Sequence, residues 1–217
     1  MSEIYFITGT DTGVGKTAAS AALAQRHLKQ GRDVAYFKPV QTGVSSGEDA
    51  DAQFVAKAAG VPVFEGLRYA APLAPAEAAL QEEAIVPWDD LVAQAEELAT
   101  IHEILLVEGA GGLLVPVDEQ HTMADFAAAI AAPLVVVARP HLGTLNHTAL
   151  TLAFATRAGI PIDRLILSPW PRDPGPTERS NLRRLRNMTR TVELLAELDG
   201  LDTARPGSVA FEFASGV

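Results

Sequence analysis

One glycine-rich segment carries the residues of this chain that are best suited to phosphate chemistry. Residues 9–17 read Gly-Thr-Asp-Thr-Gly-Val-Gly-Lys-Thr and lie between the apolar run 4–7 and an alanine-rich stretch. Backbone N–H groups of such a loop, the positive end of the following helix, the Lys16 ammonium and the Thr17 hydroxyl are together suited to bind a nucleoside triphosphate with Mg²⁺. Five residues separate the first glycine from Gly-Lys-Thr, one more than in the common pattern. The alternative is a glycine-rich turn in which Gly-Lys-Thr occurs by chance.

Acidic residues at two positions are candidates for a magnesium site. Glu108 directly follows the apolar run 104–107 and precedes Gly-Ala-Gly-Gly. A carboxylate at the tip of a buried strand is placed to hold Mg²⁺, and the glycines after it let the backbone approach a γ-phosphate. Alternatively, Glu108 caps a following turn. Asp49 and Asp51 begin a predicted helix, where simple capping is again the alternative, and Asp51 is the candidate for a second magnesium-facing carboxylate.

A lysine follows the second predicted strand. Lys38 precedes Pro-Val-Gln-Thr-Gly at residues 39–43. In this position an ammonium group would project into the crevice that holds the phosphate loop, where a fixed positive charge stabilises an anionic transition state. The alternative is a lysine whose aliphatic stem lies along the edge of the sheet.

The elements that must position these residues alternate along the chain. Continuous apolar runs, typical of strands covered on both faces, predict strands at 4–7, 34–37, 104–107, 134–138 and 165–167. Helices are predicted over 16–30, 49–59, 89–100, 144–158 and 177–198, and a glycine follows three of them. This alternation predicts a single α/β domain over 1–217, with a mostly parallel sheet, helices on both faces and a ligand site at the carboxyl ends of the strands.

Two segments lack such a pattern. Residues 168–176 are rich in proline and predict a surface loop or lid, because proline disfavours helices and inner strands. Residues 200–217 carry little periodicity.

Composition excludes several classes of protein. The 217 residues include no cysteine, which excludes disulfides, thiolate zinc sites, iron–sulfur clusters and thiol nucleophiles. A formal charge of −10 opposes general nucleic-acid binding, and the arginines at 179, 183, 184, 186 and 190 are typical of a solvated helix face. The N-terminus lacks a signal segment, and no apolar run is long enough to span a membrane, so we expect a cytoplasmic protein without a membrane partner.

Four segments together resemble the dethiobiotin synthetase family. They are Gly-Thr-Asp-Thr-Gly-Val-Gly-Lys-Thr at 9–17, Lys-Pro-Val-Gln-Thr-Gly at 38–43, Val-Glu-Gly-Ala-Gly-Gly at 107–112 and Leu-Gly-Thr-Leu-Asn-His at 142–147. Their order and intervals are similar to those of the family, including the longer gap in the phosphate loop, and the resemblance covers residues 2 to about 170. It implies a phosphate-loop NTPase fold and an ATP-dependent ligase of biotin biosynthesis that closes a cyclic urea on 7,8-diaminononanoate with CO₂.

The resemblance also implies roles for individual residues. Lys38 and Lys16 are the implied catalytic residues, and Thr17, Asp51 and Glu108 are the implied ligands of Mg²⁺. The implied nucleotide-binding residues are Gly13, Val14, Gly15, Lys16, Thr17, Ala18, Asp51, Glu108, Gly109, Ala110 and Gly111. The implied substrate-binding residues are Thr12, Thr42, Pro72, Gly112, Gly143, Thr144, Leu145 and Asn146. A homodimer is implied, with residues 143–146 binding the distal carboxylate of the substrate across the subunit interface.

The chain departs from the family pattern in three segments, of which the third is the weakly matched C-terminal tail. Ser168-Pro169 stands where the family often has a base-reading asparagine, and Ala76 stands where it often has a histidine. The first departure predicts use of ATP and of other nucleoside triphosphates. Residues near Pro206 are further candidates for contacts on the base side. One rival interpretation is a dimeric switch ATPase of the partitioning or nitrogenase-iron-protein type, although such proteins carry a lysine where this chain has Asp11. Another is a nonenzymatic nucleotide-binding module, which would need neither Lys38 nor Gly111-Gly112 at the crevice.

Overall fold

The computed structural model describes residues 2–45, 47, 50–196, 211 and 213–214. In chain order, the elements are β1 (Glu3–Gly9), α1 (Lys16–Lys29), β2 (Val34–Thr42), α2 (Asp51–Ala59), β3 (Val63–Tyr69), α3 (Pro75–Gln81), α4 (Trp88–Ile101), β4 (Ile104–Gly112), α5 (Met123–Ala129), β5 (Leu134–Ala138), α6 (Thr144–Arg157), β6 (Ile162–Trp170), α7 (Pro176–Leu185) and β7 (Val192–Ala196). Asp49 and the region of Pro206 lie outside the described residues. No helix of the described chain is both long and apolar enough to cross a membrane.

The strands form one sheet in the order β3-β2-β4-β1-β5-β6-β7, and every pairing between them is parallel. Alternate residues of the central strands enter two separate apolar cores. Phe6 of β1 packs in the core that also contains α3 to α7, whereas the adjacent Ile7 packs with α1 and α2 on the opposite face. Helices therefore cover both faces, and the predicted fold class is confirmed.

The strand order determines where the loops meet. The chain passes from β1 to β2 and β3, then returns so that β4 lies between β2 and β1, and it continues to β5 on the other side of β1. A reversal of this kind opens a crevice at the carboxyl ends of the strands, which is where ligands bind in open α/β sheets. The phosphate loop, Lys38 and Glu108 all lie at this edge of the sheet.

The predicted helix over 177–198 was wrong beyond residue 185. The helix ends at Leu185, and Val192–Ala196 forms β7, which pairs with β6. The regular spacing of the arginines led to the prediction of a helix that continues past residue 185. Pairing with β6 instead makes the segment a strand and buries Leu194 and Leu195, a burial that the helical spacing does not predict. The five arginines are exposed, as predicted.

The predicted surface loop over 168–176 was also partly wrong. The strand β6 continues to Trp170, and both Ser168 and Trp170 are buried. Pro169 interrupts the ladder, because it has no N–H to donate, and the register of β6 against β7 shifts between Leu167 and Trp170. Only the residues after 170 form the connection to α7.

Candidate functional site

The phosphate loop joins the end of β1 to the start of α1. Gly13 and Gly15 have φ angles of 68° and 96°, a left-handed conformation that side chains with a Cβ adopt at a cost. A Cβ added to Gly15 would lie 2.5 Å from the hydroxyl oxygen of Ser168 on β6. The loop therefore requires glycine at position 15 both for its backbone conformation and for its packing. Val14, between these two glycines, has a buried side chain.

Lys38 is the centre of a buried cluster of charges beside this loop. Its Nζ lies 2.8 Å from Asp51 Oδ2 and 3.1 Å from Glu108 Oε1, and it donates to the carbonyl oxygen of Gly109 at 3.3 Å. Lys38 is 3% exposed and Glu108 1% exposed. Carboxylates of α2 and β4 thus share one ammonium group of β2, which excludes a lysine that merely lies along the sheet edge.

Both oxygens of Glu108 accept hydrogen bonds from protein groups. Oε1 accepts from the Thr17 hydroxyl at 3.0 Å as well as from Lys38. Oε2 accepts from the hydroxyl groups of Ser20 at 2.7 Å and Tyr36 at 3.1 Å. Elements α1, β2 and β4 therefore fix the orientation of this carboxylate in the interior of the protein.

Burial and the neighbouring charges act against each other on these groups. Burial opposes the charge of Lys38, but Glu108 and Asp51 outweigh burial and raise the pKa of Lys38 above its ordinary value. Burial likewise opposes the charge of Asp51, but Lys38 outweighs it and lowers the pKa of Asp51. The pKa of Lys16 is lowered by burial, against the attraction of Glu108 and with the repulsion of Lys38. Burial raises the pKa of Tyr36 well above its ordinary value, with Glu108 adding to it, so its hydroxyl keeps its proton.

A cavity of about 350 Å³ opens over the cluster. The residues that line it are Thr12, Gly13, Gly15, Lys16, Thr17, Lys38, Val40, Gln41, Thr42, Asp51, Glu108, Ala110 and Gly111. Lys16, Lys38, Asp51 and Glu108 line this cavity together with residues of the phosphate loop, a combination that suits a polyphosphate with a divalent cation. Ala18 lines an adjoining cavity of about 310 Å³ with Thr17 and Asp51.

The residues present fit a magnesium ion of the kind that binds together with phosphates. Thr17, Asp51 and Glu108 supply only oxygen atoms, which Mg²⁺ prefers, and such sites use one or two carboxylates while phosphates and waters complete the coordination. Thr17 donates its proton to Glu108, so the lone pairs of its oxygen remain free for a cation. The described residues contain no group of three or more His, Cys, Asp or Glu side chains that could hold a metal without a phosphate.

The remaining predicted residues lie in three places. Thr12 and Gly112 line a neighbouring cavity of about 430 Å³ between the phosphate loop and α6. Pro72 packs against Gly43, beside Thr42. Residues 143–146 form the start of α6 at the same edge of the sheet. None of them is among the described residues that line the three cavities.

Comparison with known proteins is consistent with this geometry. A family model described as an AAA domain matches residues 3–206. The ATP-dependent dethiobiotin synthetase BioD of Mycobacterium avium is 48% identical over 181 residues, which cover 82% of this chain and 80% of that protein. The corresponding protein of Rhodococcus erythropolis is 43% identical over 182 residues, with 82% and 80% covered. That of Anaeromyxobacter dehalogenans is 47% identical over 167 residues, with 75% of each chain covered. The chain belongs to the dethiobiotin synthetase family.

Solved structures at low identity share the fold of this family member. The signal recognition particle receptor FtsY of Elizabethkingia anophelis matches with a TM-score of 0.57 at 15% identity, covering 95% of this chain. FlhF in complex with GMPPNP and Mg²⁺ matches with a TM-score of 0.58 at 13% identity, covering 99% of this chain. The chain spans 62% of the length of that FtsY chain and 70% of the FlhF chain. These likenesses show the phosphate-loop NTPase fold alone.

Three further residues of this dethiobiotin synthetase family member lie at the site although none of them was predicted there. Ser20 lies four residues after Lys16 on α1, and Tyr36 lies two residues before Lys38 on β2. Each spacing places the two side chains on one face of the element. Gln41, next to Thr42, lines the cavity and accepts a hydrogen bond from the Asp51 backbone N–H at 3.3 Å.

An arginine after β5 is a further contact of the phosphate loop that was missed. Arg139 donates from Nη2 to the Thr12 carbonyl oxygen at 2.8 Å, and its Nη1 lies 3.7 Å from Asp11 Oδ2. In this dethiobiotin synthetase family member, Asp11 of the phosphate loop therefore lies near the guanidinium group of Arg139. No local signal connects residues 128 positions apart, so only the adjacency of β1 and β5 could have indicated this contact.

Proposed function

We propose that this protein is an ATP-dependent dethiobiotin synthetase. It closes a cyclic urea on 7,8-diaminononanoate with CO₂ and ATP, and it releases dethiobiotin, ADP and phosphate. The observation that carries the proposal is the buried Lys38 ammonium beside the phosphate loop, 2.8 Å from Asp51 and 3.1 Å from Glu108, in a chain 48% identical to a dethiobiotin synthetase. A nucleotide-binding module without catalysis has no need for a second buried lysine next to Lys16.

The reaction joins anions that repel one another. One amine of the substrate takes up CO₂ as a carbamate, and a carbamate oxygen attacks the γ-phosphorus while the bond to ADP breaks. The neighbouring amine then attacks the carbonyl carbon of the mixed anhydride, loses its proton and expels phosphate. Lys38 and Lys16 are placed to offset the charges of carbamate and γ-phosphate, and removing one such cationic group should raise the barrier by about 3 kcal/mol or more.

Thr17, Asp51 and Glu108 are the residues that we propose to hold Mg²⁺. When bound, the ion supplies positive charge at the β- and γ-phosphates. Gly13 to Ala18 and Glu108 to Gly111 are the residues that we propose to bind the nucleotide, and most of them line the cavity together with Lys38 and Thr42. We expect weak selection of the base, because Ser168, which lies against Gly15, offers no side-chain amide.

The diamine is proposed to bind along Thr12, Thr42, Pro72 and Gly112, with its distal carboxylate at the α6 N-terminus of the second subunit. Backbone N–H groups at a helix N-terminus favour a carboxylate. Apolar side chains support an interface on this side of the molecule: Leu142 is 91% exposed, and Leu150 and Leu114 are more than half exposed beside the cavity that holds Thr12. The protein is therefore proposed to act as a cytoplasmic, single-domain homodimer with no nucleic-acid partner.

Phosphate release by the purified protein with ATP, Mg²⁺ and bicarbonate tests this function. We expect release that depends on added 7,8-diaminononanoate, together with a product whose mass corresponds to urea-ring closure. Phosphate release that is independent of the diamine would refute the synthetase proposal and favour a switch ATPase. Nucleotide binding without any release would favour a binding module.

A further inference from the structure

The two oxygens of Glu108 face different partners. Oε1 faces the cavity, where it contacts Lys38 and Thr17, whereas Oε2 faces the interior, where it contacts Ser20 and Tyr36. We propose that Ser20 and Tyr36 are positioning residues, which hold Oε2 so that Oε1 alone is presented to Lys38 and to a metal–nucleotide complex. The inference rests on the nucleotide and metal binding of the proposed function, and it does not depend on the diamine reaction.

Ser20 has a choice of acceptors, and the carboxylate is the stronger one. Its hydroxyl lies 3.0 Å from the Lys16 carbonyl oxygen, one turn earlier in α1, and 2.7 Å from Glu108 Oε2. A hydroxyl has a single proton, and a hydrogen bond to an ionised acceptor is shorter and about twice as strong as a neutral one. Ser20 therefore ties the helix that begins at the phosphate loop directly to the carboxylate of β4.

Tyr36 fixes the same oxygen from the neighbouring strand. It is fully buried, two residues before Lys38, and so its ring lies on the same face of β2 as the Lys38 side chain. One strand thereby supplies a donor to each oxygen of Glu108, from Tyr36 to Oε2 and from Lys38 to Oε1. A carboxylate held at both oxygens cannot rotate about its terminal bond without breaking buried hydrogen bonds. Outer groups that orient a metal ligand in this way affect metal affinity by about tenfold or more.

Calorimetric titration with a non-hydrolysable ATP analogue, with and without MgCl₂, tests the inference. The measured quantity is the ratio of the two dissociation constants, which is the enhancement of nucleotide affinity by magnesium. In Tyr36→Phe, which keeps the buried ring, we expect this enhancement to fall by about tenfold relative to the wild-type protein. The double variant Ser20→Ala with Tyr36→Phe should lose more, while affinity for the analogue without metal stays within about twofold.

Tyr69→Phe is the matched control, because the Tyr69 hydroxyl is also buried but has no hydrogen-bond partner among the described residues. It should leave the magnesium enhancement unchanged. An enhancement in the double variant equal to that of the wild-type protein, or the absence of any enhancement in the wild-type protein, would overturn the inference. If Tyr36→Phe does not fold in a thermal melt, Ser20→Ala alone provides the same comparison. A protein that shows the expected coupling but no diamine-dependent turnover would retain this inference and lose the proposed function.

Discussion

Replacement of Lys38 by glutamine should separate the stability of the site from its catalysis. The ammonium group of Lys38 holds two carboxylates, at 2.8 Å and 3.1 Å, in a region where Glu108 is 1% exposed. In Lys38→Gln, the side chain is one bond shorter and ends in an amide, which can donate a hydrogen bond but carries no charge. Asp51 and Glu108 then lose the ammonium group that they share, and Lys16 is the cation that remains near them, so the protein should unfold more easily.

The magnitude follows from the burial of the two partners. Breaking a buried ion pair by removing one partner costs about 3–5 kcal/mol, because the other charge remains uncompensated. Asp51 has a side chain that is 32% exposed, so water partly screens it, and Glu108 carries most of the penalty. We therefore expect the lower end of the range, about 3 kcal/mol, from urea unfolding followed by circular dichroism. Dethiobiotin formation should be abolished, whereas the variant should remain folded and keep the oligomeric state of the wild-type protein.

A second substitution distinguishes charge from packing. Glu108→Gln in the Lys38→Gln background removes the uncompensated carboxylate and should recover about 2 kcal/mol of stability without recovering turnover. Lys29→Gln, at an exposed position of α1, is the control and should change neither quantity. The reasoning is refuted if the single variant is as stable as the wild-type protein, if the double variant is less stable than the single one, or if Lys38→Gln turns over at the wild-type rate.

Three further predictions concern the phosphate loop, the base and a surface ion pair. Gly15→Ala should abolish nucleotide binding, measured by calorimetry, because an added Cβ would lie 2.5 Å from the Ser168 hydroxyl oxygen. Gly31→Ala is the control, because Gly31 has a φ of 76° but no atom lies near its added Cβ. An affinity of Gly15→Ala equal to that of Gly31→Ala would contradict this prediction. Because Ser168 offers no amide to the base, dissociation constants for ATP, CTP and GTP should agree within about tenfold, and a strong preference for ATP would show that another residue reads the base. Asp118→Asn should lower the free energy of unfolding by about 1 kcal/mol at neutral pH. Burial opposes the charge of Asp118, but hydrogen bonds from the His121 side chain and from two backbone N–H groups outweigh burial and lower the pKa of Asp118. That contribution is present above its ordinary pKa of 3.8 and is lost as pH falls through the lower folded value, so denaturant unfolding in acid should show no difference, and a difference that persists there would refute the assignment.

The buried strands could be predicted because each is a continuous apolar run. Strand β3 could not, since Val63–Tyr69 reads Val-Phe-Glu-Gly-Leu-Arg-Tyr, has only one buried residue and lies at an edge of the sheet. Helices α3 and α5 have seven residues each, too few to show two turns of apolar periodicity clearly. In these elements, pairing and packing with the rest of the fold decide the structure, and local preference does not.

The candidate site shows a similar division. Lys16, Lys38 and Glu108 could be found because each follows an apolar run or a glycine-rich loop. Their mutual contact could not, because it depends on β4 returning to lie between β2 and β1. That strand order brings residues 70 positions apart to within hydrogen-bond distance. Had β4 added at the outer edge of β3 instead, the same motifs would stand at separate points of the sheet.

The same strand order explains why the groups that orient Glu108 lie on one side of the sheet. Ile104, Leu106 and Glu108 of β4 face α1 and α2, as do Tyr36 and Lys38 of β2. Every side chain that contacts the Glu108 carboxylate therefore comes from that face or from α1 itself. A change in the core on the opposite face, around Phe126 and Leu98, should alter stability without rotating this carboxylate, because the sheet backbone lies between them. The chemistry of the site therefore depends on a single face of the sheet. Because side chains alternate between the two faces of a strand, the strand order then predicts which positions of β2 and β4 contribute polar groups to that face.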